Sequence, residues 1–156
     1  MKHLGIIYPL TLAFFILLSC QNKEDVIELE RLKKQESTEQ ANFKMIDRLF
    51  KSFNERNIDV FKEVTDPNWH YYHPLNNPIA VSREDMIKQL EGAYASYAKL
   101  SFEVNEIIAS GNRVVVSYSI WHISSTGNEF KATSIVLYKI ENGKVVEVRD
   151  VVQKSN

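Results

Sequence analysis

The chain has 156 residues, 25% of them charged and 44% hydrophobic, and a formal net charge of −1. These proportions fit one ordinary globular domain, and the near-neutral balance gives no sign of the basic face that a nucleic-acid binder normally shows, so no nucleic-acid partner is expected. Cys20 is the single cysteine, which excludes an intrachain disulfide and a thiolate metal cluster.

Lys2 and His3 precede a mostly apolar segment, Leu4 to Leu18, interrupted by Pro9 and Thr11. It is too short for an ordinary spanning helix and has the layout of a secretory signal. Leu17-Leu18-Ser19-Cys20 resembles a bacterial lipobox, which implies cleavage before Cys20 and acylation of that cysteine. Acyl chains contribute about 0.8 kcal/mol per buried methylene, enough together for firm anchoring. The expectation is therefore a lipoprotein signal peptide at residues 1–19 and a protein lipid-anchored to the bacterial outer membrane. A plain signal peptide or uncleaved anchor is the alternative. Half of residues 21–40 are charged, and only Val26, Ile27, Leu29 and Leu32 are apolar. Such a segment cannot bury enough surface to fold alone, so Cys20 and residues 21–40 read as an acylated, charged tether. Its QNKED start resembles the export tags of surface lipoproteins.

The domain is expected at residues 41–156. Phe43, Ile46, Leu49, Phe50 and Phe53 recur at helical spacing and predict an amphipathic helix of about four turns, ended by Asn57. Asp59 is expected to cap a short second helix through Val64, which Asp66-Pro67 stops. Trp69 to Tyr72 is an aromatic-rich strand, and His73-Pro74 turns out of it. Alternation puts Trp69, Tyr71 and His73 on one face, His70 and Tyr72 on the other. Histidines three apart on a strand point opposite ways, so no metal site is expected. Ser82 to Asp85 resembles a capping box. It opens a third helix with Met86, Ile87, Leu90, Tyr94 and Tyr97 on one face. Trp69, Tyr71 and Tyr94 stand as candidate ligand contacts, although such aromatics also build cores.

The remainder reads as strands: Ser101 to Ala109, Arg113 to Ser124, Glu129 to Ile140, and a last one through Gln153. Asn142-Gly143 between two apolar runs predicts a type I′ hairpin. Counting outward, Ile135 lies opposite Asp150 and Leu137 opposite Val148. One face then carries Thr133, Ile135, Leu137, Val146, Val148, Asp150 and Val152, and the other, half-solvated, carries Tyr138, Glu147 and Arg149. A carboxylate on an apolar wall resists ionisation and suits general acid–base work; a sheet-edge aspartate reaching water or a helix terminus is the other reading. A turn of three or five residues after Ser124 would flip every side chain of β4's segment relative to its partner. With a two- or four-residue turn, Tyr118 lies opposite Ile135 and His122 opposite Lys131. Tyr118 is then level with Asp150, while His122 sits roughly 13 Å along. His122 is thus a structural histidine or a distant ligand contact.

Helices at one end and a meander at the other predict an α+β fold. Three N-terminal helices would pack on a strongly curved antiparallel sheet and leave a conical cavity, a frequent ligand site. The run of elements, the His73-Pro74 step, Thr126-Gly127 with Phe130, and Asn142-Gly143-Lys144 followed by Glu147 and Asp150 resemble the SnoaL-like branch of the nuclear-transport-factor-2-like superfamily. The resemblance spans roughly Ala41 to Gln153. It implies a cone-shaped fold with an apolar pocket and a homodimer across the open sheet face. It also implies cofactor-independent chemistry where chemistry occurs. Asp150 matches the slot of the cyclase base, and His73 the slot of the isomerase base. Arg149 stands where an aromatic residue is common, and no glycine follows His73-Pro74.

The functional expectation is a lipid-anchored envelope protein that binds a small, largely apolar molecule without a cofactor. The alternative is a cyclase- or isomerase-type enzyme with Asp150 or His73 as general base and Tyr118 stabilising developing negative charge. A dimerising structural subunit is the third reading.

Overall fold

The computed structural model describes residues 23–72 and 80–155. Cys20, the signal-like segment and His73-Pro74 lie outside the described residues. Three helices and six strands follow in the order α1 (Lys23–Asn54), α2 (Ile58–Val64), β1 (Thr65–Tyr72), β2 (Ala80–Ser82), α3 (Arg83–Ser96), β3 (Tyr97–Ser110), β4 (Arg113–Ser124), β5 (Glu129–Glu141) and β6 (Lys144–Ser155). The fold is α+β, with helices on a curved six-stranded sheet of order β2-β1-β6-β5-β4-β3. Two features differ from expectation. The third helix follows two strands, so the helices are not all N-terminal. The sheet is mixed, because β1 runs parallel to β6.

α1 begins at Lys23, well before the expected start at Ala41. Glu, Lys, Arg, Gln and Leu are good helix formers, and once the apolar turns around Ile46 are helical, each added residue costs little. Arg31 braces Glu28 one turn away. Val26, Ile27, Leu29 and Leu32 stay exposed. Compact packing divides between Glu36 and Ser37, and the core belongs to the unit from Ser37 onward.

Within that unit, Ile46, Leu49 and Phe50 of α1 meet Phe61 and Val64 of α2 and the inward residues of the sheet. Asn57, rather than Asp59, caps α2, its side chain accepting from the Asp59 N–H. The Thr65 hydroxyl donates to the Phe61 carbonyl at 2.6 Å and closes the helix. Ser82 caps α3 as expected, its Oγ accepting from the Asp85 N–H at 3.2 Å. Tyr97, expected on that helix, instead opens β3. Asn54 exchanges two 2.8 Å hydrogen bonds with the Phe102 backbone and fastens the end of α1 to edge strand β3. Asn42 and Glu39 similarly hold Gly111 in the β3–β4 turn.

The last hairpin turns at Asn142 (φ 50°) and Gly143 (φ 71°), both in the left-handed region that a type I′ turn needs. Glu141 pairs with Lys144 and Ile140 with Val145, as counting outward gives. The register then slips between Lys139 and Ile140, so Val145 and Val148 both point inward with Val146 and Glu147 between them. Leu137 therefore pairs with Arg149 and Val136 with Asp150. The inward face of β5 is Ala132, Ser134, Val136, Tyr138 and Ile140, all buried. This inverts the expected β5 face: Tyr138 is core, and Ile135 and Leu137 look outward.

Candidate functional site

Between α1, α2, α3 and the inward face of the sheet lies a cavity of about 260 Å³. Phe53 of α1, Phe61 of α2, and Met86, Gln89 and Leu90 of α3 form its helical side. Trp69, Tyr71, Phe102, Tyr118, Val136, Tyr138 and Val148 form its sheet side. Trp69 and Tyr71 stack with ring centroids 6.2 Å apart, and Phe61 meets Trp69 edge-on at 5.4 Å. Alternation along β1 puts these two rings inside and His70 and Tyr72 outside, where the Arg149 guanidinium lies 4.8 Å above the Tyr72 ring.

Asp150 sits behind this wall and is 8% exposed. Parallel pairing puts Tyr71 opposite Val148, two residues before Asp150 on the same face of β6. The Tyr71 hydroxyl donates to one carboxylate oxygen, and Ser134 Oγ donates to the other at 3.4 Å. Tyr118 shares the face: β4 and β5 pair one residue away from expectation, with Tyr118 opposite Ser134 and His122 opposite Phe130. The two one-residue shifts add to two, so Asp150, opposite Val136, is level with Val116 rather than with Tyr118 as expected, yet an even offset keeps both residues on the inward face. Burial, and then the Asp150 carboxylate, push the Tyr71 hydroxyl far above the usual tyrosine value. The same two causes raise Tyr118, against a hydrogen bond with Ser134 that lowers it. Full burial raises Tyr138, helped by Tyr118 and Asp150. All three phenols are thus held neutral beside a carboxylate.

Of the residues singled out from sequence, Trp69, Tyr71 and Tyr118 line the cavity. Asp150 contacts it through Tyr71 rather than lining it. His122 and Tyr94 do not line it. His122 is wedged between Tyr97 and Phe130, at 4.1 and 4.9 Å between ring centroids, toward the other end of β4. The Tyr94 hydroxyl donates to the Phe53 carbonyl at 3.2 Å and joins α3 to α1. Sequence reasoning missed Ser134 and Tyr138. Their signal is the parity of Lys131 and Lys139, which marks the Ile135–Leu137 face as the solvent side. Among the described residues no three His, Cys, Asp or Glu side chains gather as metal ligands.

No functionally curated protein matches the sequence. Solved structures share the fold at low identity. Bal32a, from a soil-derived mobile gene cassette, is 18% identical over 72% of this chain and 89% of its own, with a TM-score of 0.64. TerC, co-crystallised with polyporic acid, is 18% identical over 71% and 90%, with a TM-score of 0.60. A SnoaL-like polyketide cyclase from Agrobacterium tumefaciens is 16% identical over 70% and 88%, with a TM-score of 0.60. The family description "SnoaL-like domain" matches residues 46–148, more than half of the chain, and takes in the cavity walls from α1 to Val148. The chain belongs to the SnoaL-like domain family.

Proposed function

We propose that this is a lipid-anchored envelope protein whose SnoaL-like domain binds a small, largely apolar molecule in the cavity between helices and sheet. The observation that carries the binding reading is the cavity itself, walled by aromatic and aliphatic side chains with tyrosine hydroxyls at its sheet side. A few polar groups on an apolar wall orient a ligand, while the wall supplies affinity. The anchor rests on sequence, on the lipobox-like run before Cys20. No helix among the described residues is long and apolar enough to cross a membrane. The expected homodimer belongs on the outer sheet face, where Val115 is exposed and Trp121 lies beneath the Lys99 ammonium.

The test of binding is a thermal-shift screen of small apolar compounds against the full chain and against Leu90→Trp, which fills the cavity. Compounds that raise the wild-type midpoint and leave the filled variant unmoved support the reading. A screen in which no compound separates the two proteins rejects it.

The enzymatic alternative draws on one observation, the Tyr71–Asp150 hydrogen bond beside the cavity. In that reading Asp150 or His73 takes a proton from the bound molecule and Tyr118 holds the developing negative charge. A compound found in the screen should then be consumed by wild type and merely bound by Asp150→Asn.

A further inference from the structure

We infer that the cavity selects apolar cations, protonated or quaternary amines, over neutral molecules of the same shape and over anions. This rests on the ligand-binding reading above and names its ligand class.

The first observation is the rings. Seven of the fifteen described lining residues are aromatic, and they come from both the helical and the sheet side. An aromatic face is negative, and rings that surround a desolvated ammonium each attract it. The second is the lack of charge on the wall. None of the described lining residues is charged, so an anion entering there meets no ammonium or guanidinium to pair with, and a cation meets none to repel it.

The third observation concerns where the hydroxyl protons go. Tyr71 spends its proton on Asp150, and Thr65, also in the lining, spends its proton on the Phe61 carbonyl at 2.6 Å. A hydroxyl that has donated keeps only lone pairs to offer. Neither proton is left to meet a ligand anion, and the Thr65 oxygen suits an N–H or the polarised methyls of an ammonium. A ligand oxyanion would need donors at those places. The Trp69 indole N–H is a donor without a hydrogen-bond partner among the described residues, but its nitrogen is buried in the wall.

The fourth is the carboxylate one hydroxyl away. Its negative charge opposes ionisation of Tyr71, Tyr118 and Tyr138 alike. A potential that disfavours a phenolate at three points of the wall disfavours a ligand anion beside them and favours a cation.

The test uses three probes of one shape on the full chain: benzyltrimethylammonium, its neutral carbon isostere neopentylbenzene, and the anion benzylsulfonate. Affinities are read by titration calorimetry or by tryptophan fluorescence. The expected order is ammonium tightest, by about tenfold or more over the isostere, with benzylsulfonate too weak to measure. Asp150→Asn should narrow the ratio between ammonium and isostere, whatever it does to either affinity alone. Binding of the isostere or the sulfonate as tightly as the ammonium overturns the cation proposal and leaves the pocket standing. Failure of all three probes to bind overturns both. A ratio unchanged in Asp150→Asn removes the carboxylate from the account. Should that variant not fold, the three-probe comparison on the wild type decides alone.

Discussion

The Tyr71 hydroxyl donates to the Asp150 carboxylate, joining residues 79 apart in sequence across the parallel pairing of β1 and β6. A hydrogen bond to a charged group contributes about 1.5–3 kcal/mol, and removing one partner strands the other. Tyr71→Phe keeps the ring and its stacking on Trp69, so it isolates the hydroxyl. The expected loss is about 1.5–3 kcal/mol in chemical denaturation. A double-mutant cycle with Asp150→Asn should show coupling of at least about 0.5 kcal/mol. Strictly additive losses would mean that the contact contributes nothing to stability.

Alkaline pH should attack the same cluster. Tyr71, Tyr118 and Tyr138 are all raised, chiefly by burial, above the value of about 10 that an unfolded tyrosine has. The native state then holds its phenolic protons where the unfolded chain releases them. Stability is untouched below about pH 10 and falls as pH climbs past it toward the folded values, by about 1.4 kcal/mol per pH unit for each such tyrosine. Denaturant midpoints measured across that window, with phenolate absorbance to follow ionisation, check the sign. Tyr71→Phe should make the decline shallower, and an identical slope in the variant would place the alkaline sensitivity elsewhere.

Two glycines should respond oppositely to alanine. Gly92 lies inside α3 with open space around an added Cβ, so Gly92→Ala should stabilise by about 0.5–1 kcal/mol through reduced freedom of the unfolded chain. Gly143 holds φ +71°, where an L side chain costs roughly 1–2 kcal/mol. Gly143→Ala should therefore lower the melting midpoint by several degrees. Thermal unfolding of both variants is the measurement, and a rise for Gly143→Ala would contradict the turn geometry.

Cys20→Ser should move the protein from the membrane fraction to the soluble fraction of its host without altering the domain's circular dichroism. Membrane association that survives the substitution would rule out the lipid anchor and leave an uncleaved apolar segment as the explanation.

The fold was legible where physics is local. Phe43 to Phe53 announces a helix, Ser82 caps one, and Asn142-Gly143 demands a primed turn. Trp69 and Tyr71 could be put together on one face by alternation alone. Register was less legible, because it depends on extra residues that leave no compositional trace. Val146 is apolar and β-branched like the valine before it, so it does not itself mark the slip, and only the parity of Lys131 and Lys139 points to the inward turn of Tyr138. The parallel partner of β1 was invisible too, since pairing between elements so far apart is decided by how α2 and α3 steer the chain. The site residues outside the described segments, His73 and Cys20, rest on sequence alone.

The sheet order carries a kinetic consequence. β6 lies between β1 and β5, yet it is the last of the six strands in chain order. Until it emerges during synthesis, β1 and β5 each present an unpaired edge. Such edges template aggregation, and a sheet closed by its final segment pays a long loop-closure entropy before any pairing rewards it. Folding of the domain must therefore wait until β6 has been made, and a chain released before β6 should collapse into association-prone material instead of a smaller domain.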